Sequence, residues 1–421
     1  KQPQTNNMPM KTKSMLWSVL LLAGCLASAS CSDDEEERGE IPEIKLELSK
    51  AVQTDFAKTS NAFANKLLLT LMALPESQNQ NVCVSPISFQ YLLTMVANGA
   101  STSALNQIQQ ALDMEGYTMD AINAHSLELM KRLAQDNEYV KVALANGVWG
   151  DNSVQFVPAF AANMKNFYQA SVEQLDFIGN SAKAAQAINQ WADEHTDGMV
   201  KEISLPISSD TRFVLANATY FNGKWSLPFN KRDTRTAKFY NENGTTTRVD
   251  MMTRQMDVAC YEDDNLTAAE LNYGKGYYSM ILVMPKDSKN LYKLCEETDL
   301  WQLHEQLAKG YGIKVELPRF KSENHWKDMA DIARAMGITQ IFSVEGVPGI
   351  CTPAYPITKM TQDVVIGVTE NGTKAAAVSA GEGEFTSPGL PQHFRFDHPF
   401  FYAIRENTTG TILFAGKVGK L

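Results

Sequence analysis

The hydrophobic positions of the chain follow a helical spacing in its first part. From Asp55 to Leu74 and from Pro86 to Leu112, Ala, Leu, Phe and Met recur on one face, between Ser and Asn residues that can cap helix ends. Both segments are therefore predicted to be helices.

Most of the later chain is predicted to form strands, because β-branched and aromatic residues dominate its hydrophobic runs. The predicted strands are Val140 to Trp149, Arg212 to Phe221, Thr236 to Tyr240, Thr245 to Met251, Tyr278 to Met284 and Gly312 to Phe320. Asn243-Gly244 separates two of them and predicts a tight hairpin turn. Helices that come first, strands that come later and a final strand pair at the C-terminus predict an α+β fold rather than alternating βαβ units.

The N-terminal segment has the pattern of an export signal. Two lysines, Lys11 and Lys13, precede an apolar run from Met15 to Ala23 that is too short to span a bilayer. Leu22-Ala23-Gly24-Cys25 resembles the bacterial lipobox, in which the cysteine is lipidated. Residues 1–31 are therefore predicted to be a signal peptide with a lipobox, and the protein is expected to be secreted.

A second cysteine offers an alternative lipidation site. Cys31 is followed by Ser32 and the acidic run Asp33 to Glu37, which resembles the export tag of surface lipoproteins in some Gram-negative bacteria. The sequence is compatible with lipidation at Cys25 or at Cys31. Residues 32–48 are polar and acidic, which predicts a flexible tether. The protein is expected to be anchored by lipid alone to the bacterial outer membrane, facing outward.

Composition narrows the functional class of the remaining chain. The whole chain has 44% hydrophobic and 20% charged residues, as in ordinary globular proteins. Residues 49–421 are expected to fold as a single domain, since no linker or internal repeat divides them. The net charge of −10 and the absence of dense Lys/Arg runs argue against a nucleic-acid partner. No HExxH, GxSxG, Walker or dinucleotide motif is present, which argues against an enzyme.

The cysteines and histidines do not predict a metal site or a cofactor. The six cysteines form no CxxC pair, and no Cys/His cluster has zinc spacing. The six histidines are scattered and are interpreted as surface or structural residues. The sequence leaves open whether the cysteines of the domain pair with one another; these are Cys83, Cys260, Cys295 and Cys351.

The segment that follows Val364 carries the strongest functional signal. A strand pattern runs into Glu370-Asn371-Gly372-Thr373-Lys374 and then into a stretch of small residues that includes Ala375, Ala376 and Ala377. Taken alone, this stretch fits a helix start or an edge strand equally well. It is followed at 381–390 by a Gly-, Glu-, Ser- and Pro-containing loop, which a protease could reach.

Several other segments, together with this one, resemble the serpin family over nearly the whole domain. They are Asn81-Val-Cys-Val-Ser85-Pro86-Ile-Ser88, Val214 to Trp225 with Asn217, Leu317-Pro-Arg319-Phe320, Met336 to Thr339, and Asp397-His-Pro-Phe400 through Gly416. Ile188 to Gly198 resembles the helix that lies across the main sheet of that family. The resemblance implies a serpin fold, in which helices pack on a large central, mostly antiparallel sheet with two further sheets and an exposed reactive-centre loop at about residues 370–391.

The resemblance also implies specific site residues. Ser85, Ser88, Asn217 and Gln362 correspond to the shutter, the segment where the central sheet opens. Gln362 departs from the family pattern, since many serpins have His there. At the top of the sheet, the breach, the resemblance implies Trp225 and an ion pair between Glu370 and Arg319.

Inhibition in this family proceeds by cleavage of the loop, trapping of the acyl-enzyme and insertion of the loop as a new strand. The implied hinge comprises Glu370, Gly372, Thr373, Ala375, Ala376 and Ala377. If Thr373 faces the core, period-two alternation places Ala375, Ala377 and Ser379 inward and Lys374 outward. All four inward residues are small, which favours an inhibitory member.

The position of the reactive bond is less closely defined. Counting forward from the hinge places the bond at Thr386-Ser387, with Phe385-Thr386 as second choice, whereas counting back from Pro399 moves it toward Pro388. These residues predict elastase-like, chymotrypsin-like or subtilisin-like serine proteases as covalent partners, and a cysteine protease could take the same place. The protein is expected to be a monomer. The alternative is a non-inhibitory serpin that serves as a binding or storage protein.

Overall fold

The computed structural model describes residues 50–134, 138–196, 198, 200–203, 207–287, 290–373 and 392–421. The helices within these ranges are α1 Lys50–Met72, α2 Pro86–Ala97, α3 Thr102–Ala111, α4 Met119–Leu133, α5 Pro158–Tyr168, α6 Phe177–His195, α7 Leu291–Glu297, α8 Leu300–Gln306 and α9 Met329–Ala335. Among them, none is both long and apolar enough to cross a membrane.

The strands share the same ranges. They are β1 Val82–Val84, β2 Val140–Asp151, β3 Gln155–Phe156, β4 Ser171–Leu175, β5 Phe213–Lys224, β6 Arg235–Tyr240, β7 Thr246–Glu262, β8 Leu266–Tyr273, β9 Tyr278–Pro285, β10 Ala308–Pro318, β11 Phe320–Trp326, β12 Cys351–Thr352, β13 Gln362–Thr369, β14 Gly372–Thr373, β15 His393–Arg395, β16 Phe400–Glu406 and β17 Ile412–Val418. All six predicted strands have counterparts among them, and β6 and β7 form the predicted hairpin.

The second predicted helix is two helices in the structure. α2 ends at Ala97 and α3 begins at Thr102, where the side chain of Ser101 accepts a hydrogen bond from the backbone N–H of Ala104. A side chain at Gly99 would clash with Ile350, which leaves space only for glycine at this turn. The segment 86–112 is mainly helical, as predicted, but the spacing of its hydrophobic residues did not predict the break, because that spacing continues across a turn set by tertiary packing.

A six-stranded sheet with the order β11-β13-β14-β5-β2-β4 forms the centre of the molecule. Its strand pairs are antiparallel, except for β2 and β4, which run parallel. Helix α6 covers one face, where Trp191 packs edge-to-face on Trp149 of β2 and donates a hydrogen bond to Ser171. The opposite face belongs to the main hydrophobic core, which also contains α1 and α2.

A larger sheet lies against this core, with the order β1-β17-β16-β9-β8-β7-β10-β15 and β6 paired to β7. β3 and β12 form a small third sheet. The predicted single strand 312–320 is divided between two sheets: β10 ends at Pro318 in the larger one and β11 begins at Phe320 in the central one. The crossing point is Arg319, whose backbone N–H donates to the carbonyl oxygen of Asp250.

A buried hinge at the centre of the main sheet

The chain turns sharply after β13 and re-enters the central sheet as β14. Gly372 and Thr373 pair with β13 on one side and with Lys224 and Gly223 of β5 on the other. Gly372 has a φ of +142°, and a Cβ at this position would lie 1.9 Å from the carbonyl oxygen of Gly223. Only glycine fits here, so the pivot predicted at Gly372 has a steric basis.

Thr373 is fully buried, as the predicted alternation requires for a residue that faces the core. Its hydroxyl lies 2.6 Å from the hydroxyl of Tyr273, the last residue of β8. Burial raises the pKa of Tyr273 far above its ordinary value, so its hydroxyl stays protonated and able to donate. No local pattern indicated a role for Tyr273, because it lies 100 positions from Thr373 in a strand with ordinary hydrophobic patterning.

Trp225 joins the same cluster from the end of β5. Its ring stacks on Tyr273 with centroids 4.3 Å apart, and its indole N–H donates to the carbonyl oxygen of Thr369 at 2.9 Å. The backbone N–H of Trp225 donates to the carbonyl oxygen of Asn371. The tryptophan therefore holds both sides of the turn between β13 and β14.

The predicted ion pair between Arg319 and Glu370 is present. The Arg319 Nε lies 2.9 and 2.8 Å from the two carboxylate oxygens of Glu370, which also accept a hydrogen bond from the Thr234 hydroxyl at 2.7 Å. Burial alone would raise the pKa of Glu370, but these hydrogen bonds and the charge of Arg319 bring it below its usual value. The other end of the guanidinium contacts Asp250 at 2.8 Å. This network fixes the start of the turn.

The shutter residues Ser85 and Gln362 contact each other through the backbone of Ser85. The Gln362 amide oxygen accepts from the Ser85 N–H at 3.0 Å, and its amide N–H donates to the Ser85 carbonyl at 2.8 Å. The Ser85 hydroxyl donates to the carbonyl oxygen of Leu413 and accepts from the N–H of Ser88 in the first turn of α2. Gln362 thus connects β13 to the start of α2 without an ionisable group.

The side chain of Asn217 is hydrogen-bonded within β5 and to β2. Its amide donates to the Asn146 side chain of β2 at 2.7 Å, and its oxygen accepts from the hydroxyl of Thr219. Asn146 in turn donates to the carbonyl oxygen of Tyr168. Asn217 therefore ties β5 to β2, and no hydrogen bond between it and Ser85 or Gln362 occurs among the described residues. The register of the two strands places Asn217 directly opposite Asn146, which explains why these two side chains are hydrogen-bonded to each other.

Below β14, β5 and β13 are neighbours without a hydrogen-bonded ladder in the part of the chain that the structure describes. A cleft between them is lined by Leu215, Ala216 and Asn217 of β5 and by Thr361, Gln362 and Asp363 beside or within β13. A strand continuing from Thr373 would therefore find unpaired edges on both sides.

Several predicted site residues lie outside the described residues. They are Ala375, Ala376, Ala377, Phe385, Thr386, Ser387, Cys25 and Cys31. The four cysteines of the domain are described, and three of them, Cys83, Cys295 and Cys351, are buried. Burial raises the pKa of Cys295 to about 12, so this thiol is unreactive at neutral pH.

The family to which this architecture belongs is identified by comparison with known proteins. The family model described as "Serpin (serine protease inhibitor)" matches residues 58–421. The chain belongs to the serpin family. Membership in the serpins places it among protease inhibitors rather than enzymes.

Individual serpins resemble this chain over most of their length. An uncharacterized serpin-like protein of Thermococcus kodakarensis is 30% identical over 431 residues, covering 97% of this chain and 99% of its own. Serpin B3 of Homo sapiens is 30% identical over 370 residues, covering 81% of this chain and 94% of its own.

Solved serpin structures share the fold. Serpin48 of the insect Tenebrio molitor, described as highly specific, has a TM-score of 0.76 at 27% identity, covering 87% of this chain and 98% of its own. The thermophilic serpin tengpin in its native state has a TM-score of 0.78 at 23% identity, covering 90% of this chain and 96% of its own. The predicted serpin fold, with a central sheet and two further sheets, is confirmed.

Proposed function

We propose that this serpin inhibits serine proteases as a suicide substrate, through cleavage of the loop that begins at Thr373 and insertion of that loop into the central sheet. The observation that carries the proposal is β14. The first two residues of the predicted insertion segment already pair with β13 and β5, and Thr373 is buried between them. Continuing this strand needs no rearrangement of the hinge itself.

The chemistry would follow that of serine proteases. The protease serine Oγ attacks the carbonyl carbon of Thr386, an ester bond forms, the Thr386-Ser387 peptide bond breaks, and the new amino terminus at Ser387 leaves with the proton. Water would then hydrolyse the ester unless the enzyme is distorted first. Insertion therefore has to be faster than hydrolysis, and only small inward-facing residues let a strand enter quickly.

The energetics are sufficient for this role. Insertion of about a dozen residues at about 1 kcal/mol of net hydrogen bonding each gives roughly 10 kcal/mol, comparable with the stability of an ordinary domain. The uncleaved state is therefore proposed to be metastable. The absence of basic residues near Thr386 favours elastase-like, chymotrypsin-like or subtilisin-like targets over trypsin-like ones.

The site of action is proposed to be the outside of a bacterial envelope. The signal-like segment, the two candidate lipidation cysteines Cys25 and Cys31, and the acidic run after Cys31 support a lipid anchor with the domain facing outward. There the protein would defend the cell against proteases from a host or from the cell itself. Metabolic labelling with an alkynyl fatty acid, compared between Cys25→Ala and Cys31→Ala, tests the anchor: label lost in neither variant would exclude both sites.

The inhibitory mechanism is tested by mixing the purified protein with elastase, chymotrypsin and subtilisin. We expect an SDS-stable complex, and mass spectrometry of the released C-terminal peptide identifies the reactive bond. The alternative is a non-inhibitory serpin that carries a ligand, as in two solved structures with a similar fold, both thyroxine-binding globulins in complex with thyroxine. Cleavage without a complex and without a gain in thermal stability would support that alternative.

A further inference from the structure

Folding gathers positive charge at the end of the molecule where the loop begins and ends. The segment from Lys224 to Arg254 holds seven basic and three acidic residues, a balance of +4 in a chain whose net charge is −10. Five of these cations are exposed and have no ion-pair partner in the described ranges. These residues, here called the basic cluster, are Lys231, Arg232, Arg235, Lys238 and Arg248. These residues are spaced along the sequence and do not form one dense basic run.

The acidic residues of the same segment do not neutralise this cluster. Asp250 is held by Arg319, and Glu242 is held by the buried ammonium group of Lys417. Asp233 is exposed and is the third carboxylate of the segment. The cluster therefore presents an excess of positive charge to solvent.

The register of β6 and β7 concentrates the charge further. Lys238 lies directly opposite Arg248, so both side chains leave the same face of the hairpin. Like charges in this position destabilise an antiparallel pair. Protection of an exposed sheet edge would explain a lysine on β6, which pairs only with β7 among the strands that the structure describes, but it does not explain an arginine opposite it on β7.

The position of the basic cluster indicates that it would contact a protease bound at the loop. Thr234, inside the cluster's segment, donates to Glu370 at the start of the hinge. At the other end of the loop, β15 pairs with β10, β10 with β7, and β7 with β6. Strands lie about 4.8 Å apart, so β6 is roughly 14 Å from β15 across the sheet, and the backbone N–H of Tyr240 at the end of β6 donates to the carbonyl oxygen of Asp397 just after β15. A protease that attacks the chain between Thr373 and His393 is wider than this distance and would cover the hairpin.

We infer that the basic cluster is a docking surface for the acidic surface of a target protease. The inference rests on the proposed inhibitory function. It adds that the target protease is selected by its surface charge as well as by the sequence of the loop. Complementary charge near the point of attack accelerates association by a factor of 10 to 10³ at low salt, and the effect fades as salt screens it. The partner is thus a protease with an anionic rim around its active site.

The test compares two variants of the full chain with the same change in charge. Lys238→Glu combined with Arg248→Glu reverses the facing pair of the cluster. Lys131→Glu combined with Lys183→Glu changes exposed lysines on α4 and α6, away from the hairpin. Thermal unfolding first establishes that both variants fold. Second-order inhibition rates are then measured with an anionic and a cationic isoform of one elastase-like or chymotrypsin-like protease, at low salt and at 1 M salt.

We expect the cluster variant to inhibit the anionic protease at least tenfold more slowly at low salt, with the difference largely removed at 1 M salt, and the α4/α6 variant to stay within about twofold of the unmodified protein. Equal effects of the two variants would overturn the inference, since net charge alone would then be responsible. So would unchanged inhibition by the cluster variant. If dextran sulfate accelerates inhibition through the cluster regardless of protease charge, the surface binds a polyanion instead, which also overturns it.

A second measurement separates this inference from the proposed function. The protease with its catalytic serine replaced by alanine binds without cleavage, so its dissociation constant reports docking alone. Weaker binding of the cluster variant to the anionic protease supports the docking surface even if no SDS-stable complex forms with any enzyme. Unchanged binding together with normal complexes would overturn the docking surface and leave inhibition intact.

Discussion

The hydroxyls of Tyr273 and Thr373 lie 2.6 Å apart inside the protein, and this contact joins the larger sheet to β14 of the central sheet. Replacement of Tyr273 by Phe would leave the Thr373 hydroxyl buried without this partner. An unpaired buried hydroxyl costs about 1–3 kcal/mol, so the docked state of the hinge should lose roughly a factor of ten in population.

Amide hydrogen exchange of the peptide that contains Gly372 and Thr373 measures this change. Exchange in Tyr273→Phe should be at least tenfold faster than in the unmodified protein. Tyr277→Phe is the control, because the Tyr277 side chain is exposed. Equal exchange rates in the two variants would show that the hydroxyl contact does not hold the hinge.

Replacement of Glu370 by Gln should destabilise the breach. The carboxylate is 1% exposed and Arg319 is 38% exposed, so the loss is smaller than for a fully buried pair, about 1–2 kcal/mol. Urea denaturation at pH 7 measures it. Because the pKa of Glu370 is lowered in the folded state, its contribution is present at neutral pH and disappears as the pH falls through that lowered pKa. The two proteins should therefore converge in acid; a constant difference would contradict the assigned charge.

Replacement of Thr373 by Arg tests insertion. The Thr373 side chain is completely buried, and a guanidinium group cannot enter the same space without a partner. We expect this variant to be cleaved by the target protease without forming an SDS-stable complex. Lys374→Arg is the matched control, since the alternation predicted from the sequence would direct residue 374 outward, and it should inhibit normally. Unchanged inhibition by the Thr373 variant would exclude the insertion mechanism.

Replacement of Gln362 by Glu changes a single donor in the shutter. A carboxylate can accept from the Ser85 N–H, but it cannot donate to the Ser85 carbonyl as the Gln362 amide does. The free energy of unfolding at pH 7 should fall by about 2–4 kcal/mol and partly recover in acid, where the carboxyl is protonated and donates again. Gln110→Glu, on the exposed side of α3, should change stability by no more than about 0.5 kcal/mol.

His125 makes the protein sensitive to mild acid. Its ring is buried and stacked on Phe56, and its Nε2 has no hydrogen-bond partner among the described residues. Burial, and secondarily the charge of Arg132, lowers its pKa from 6.5 to about 4. The unfolded chain therefore takes up a proton first, and stability is lost as the pH falls from about 6.5 to about 4, by about 2 kcal/mol at pH 5.

The variant His125→Phe should lack this loss, which urea denaturation at pH 7 and pH 5 will detect. His195→Gln, on the exposed surface of α6, is the control and should follow the unmodified protein. A loss of stability in acid that is the same for His125→Phe and the unmodified protein would assign the effect to other groups.

Local pattern predicted much of the fold but not the contacts between distant strands. The strand positions, the Asn243-Gly244 hairpin and the Glu370–Arg319 pair followed from periodicity, turn chemistry or family resemblance. The break between α2 and α3 did not, because Gly99 is required by packing against Ile350, far along the chain.

The candidate site shows the same division. Gly372 and Thr373 could be identified because a glycine indicates a turn and small residues indicate a segment that fits between strands. Tyr273 could not, because it contributes through a contact between two sheets. Asn217, expected in the shutter with Gln362, lines the same cleft as that residue, and the register of β5 against β2 makes Asn146 its hydrogen-bond partner. Register is a long-range property, and one sequence without a partner strand does not determine it.

The presence of β14 in the uncleaved protein affects the rate at which the loop could insert into the central sheet. In the proposed mechanism, the slowest part of adding a strand is usually nucleation, when chain entropy is lost before any ladder compensates for it. In this protein, Gly372 and Thr373 of β14 already pair with β13 and with β5. In the proposed mechanism, the cleaved loop would therefore only have to extend an existing pair of strands. Its insertion would compete with hydrolysis of the acyl-enzyme ester without first having to nucleate a strand.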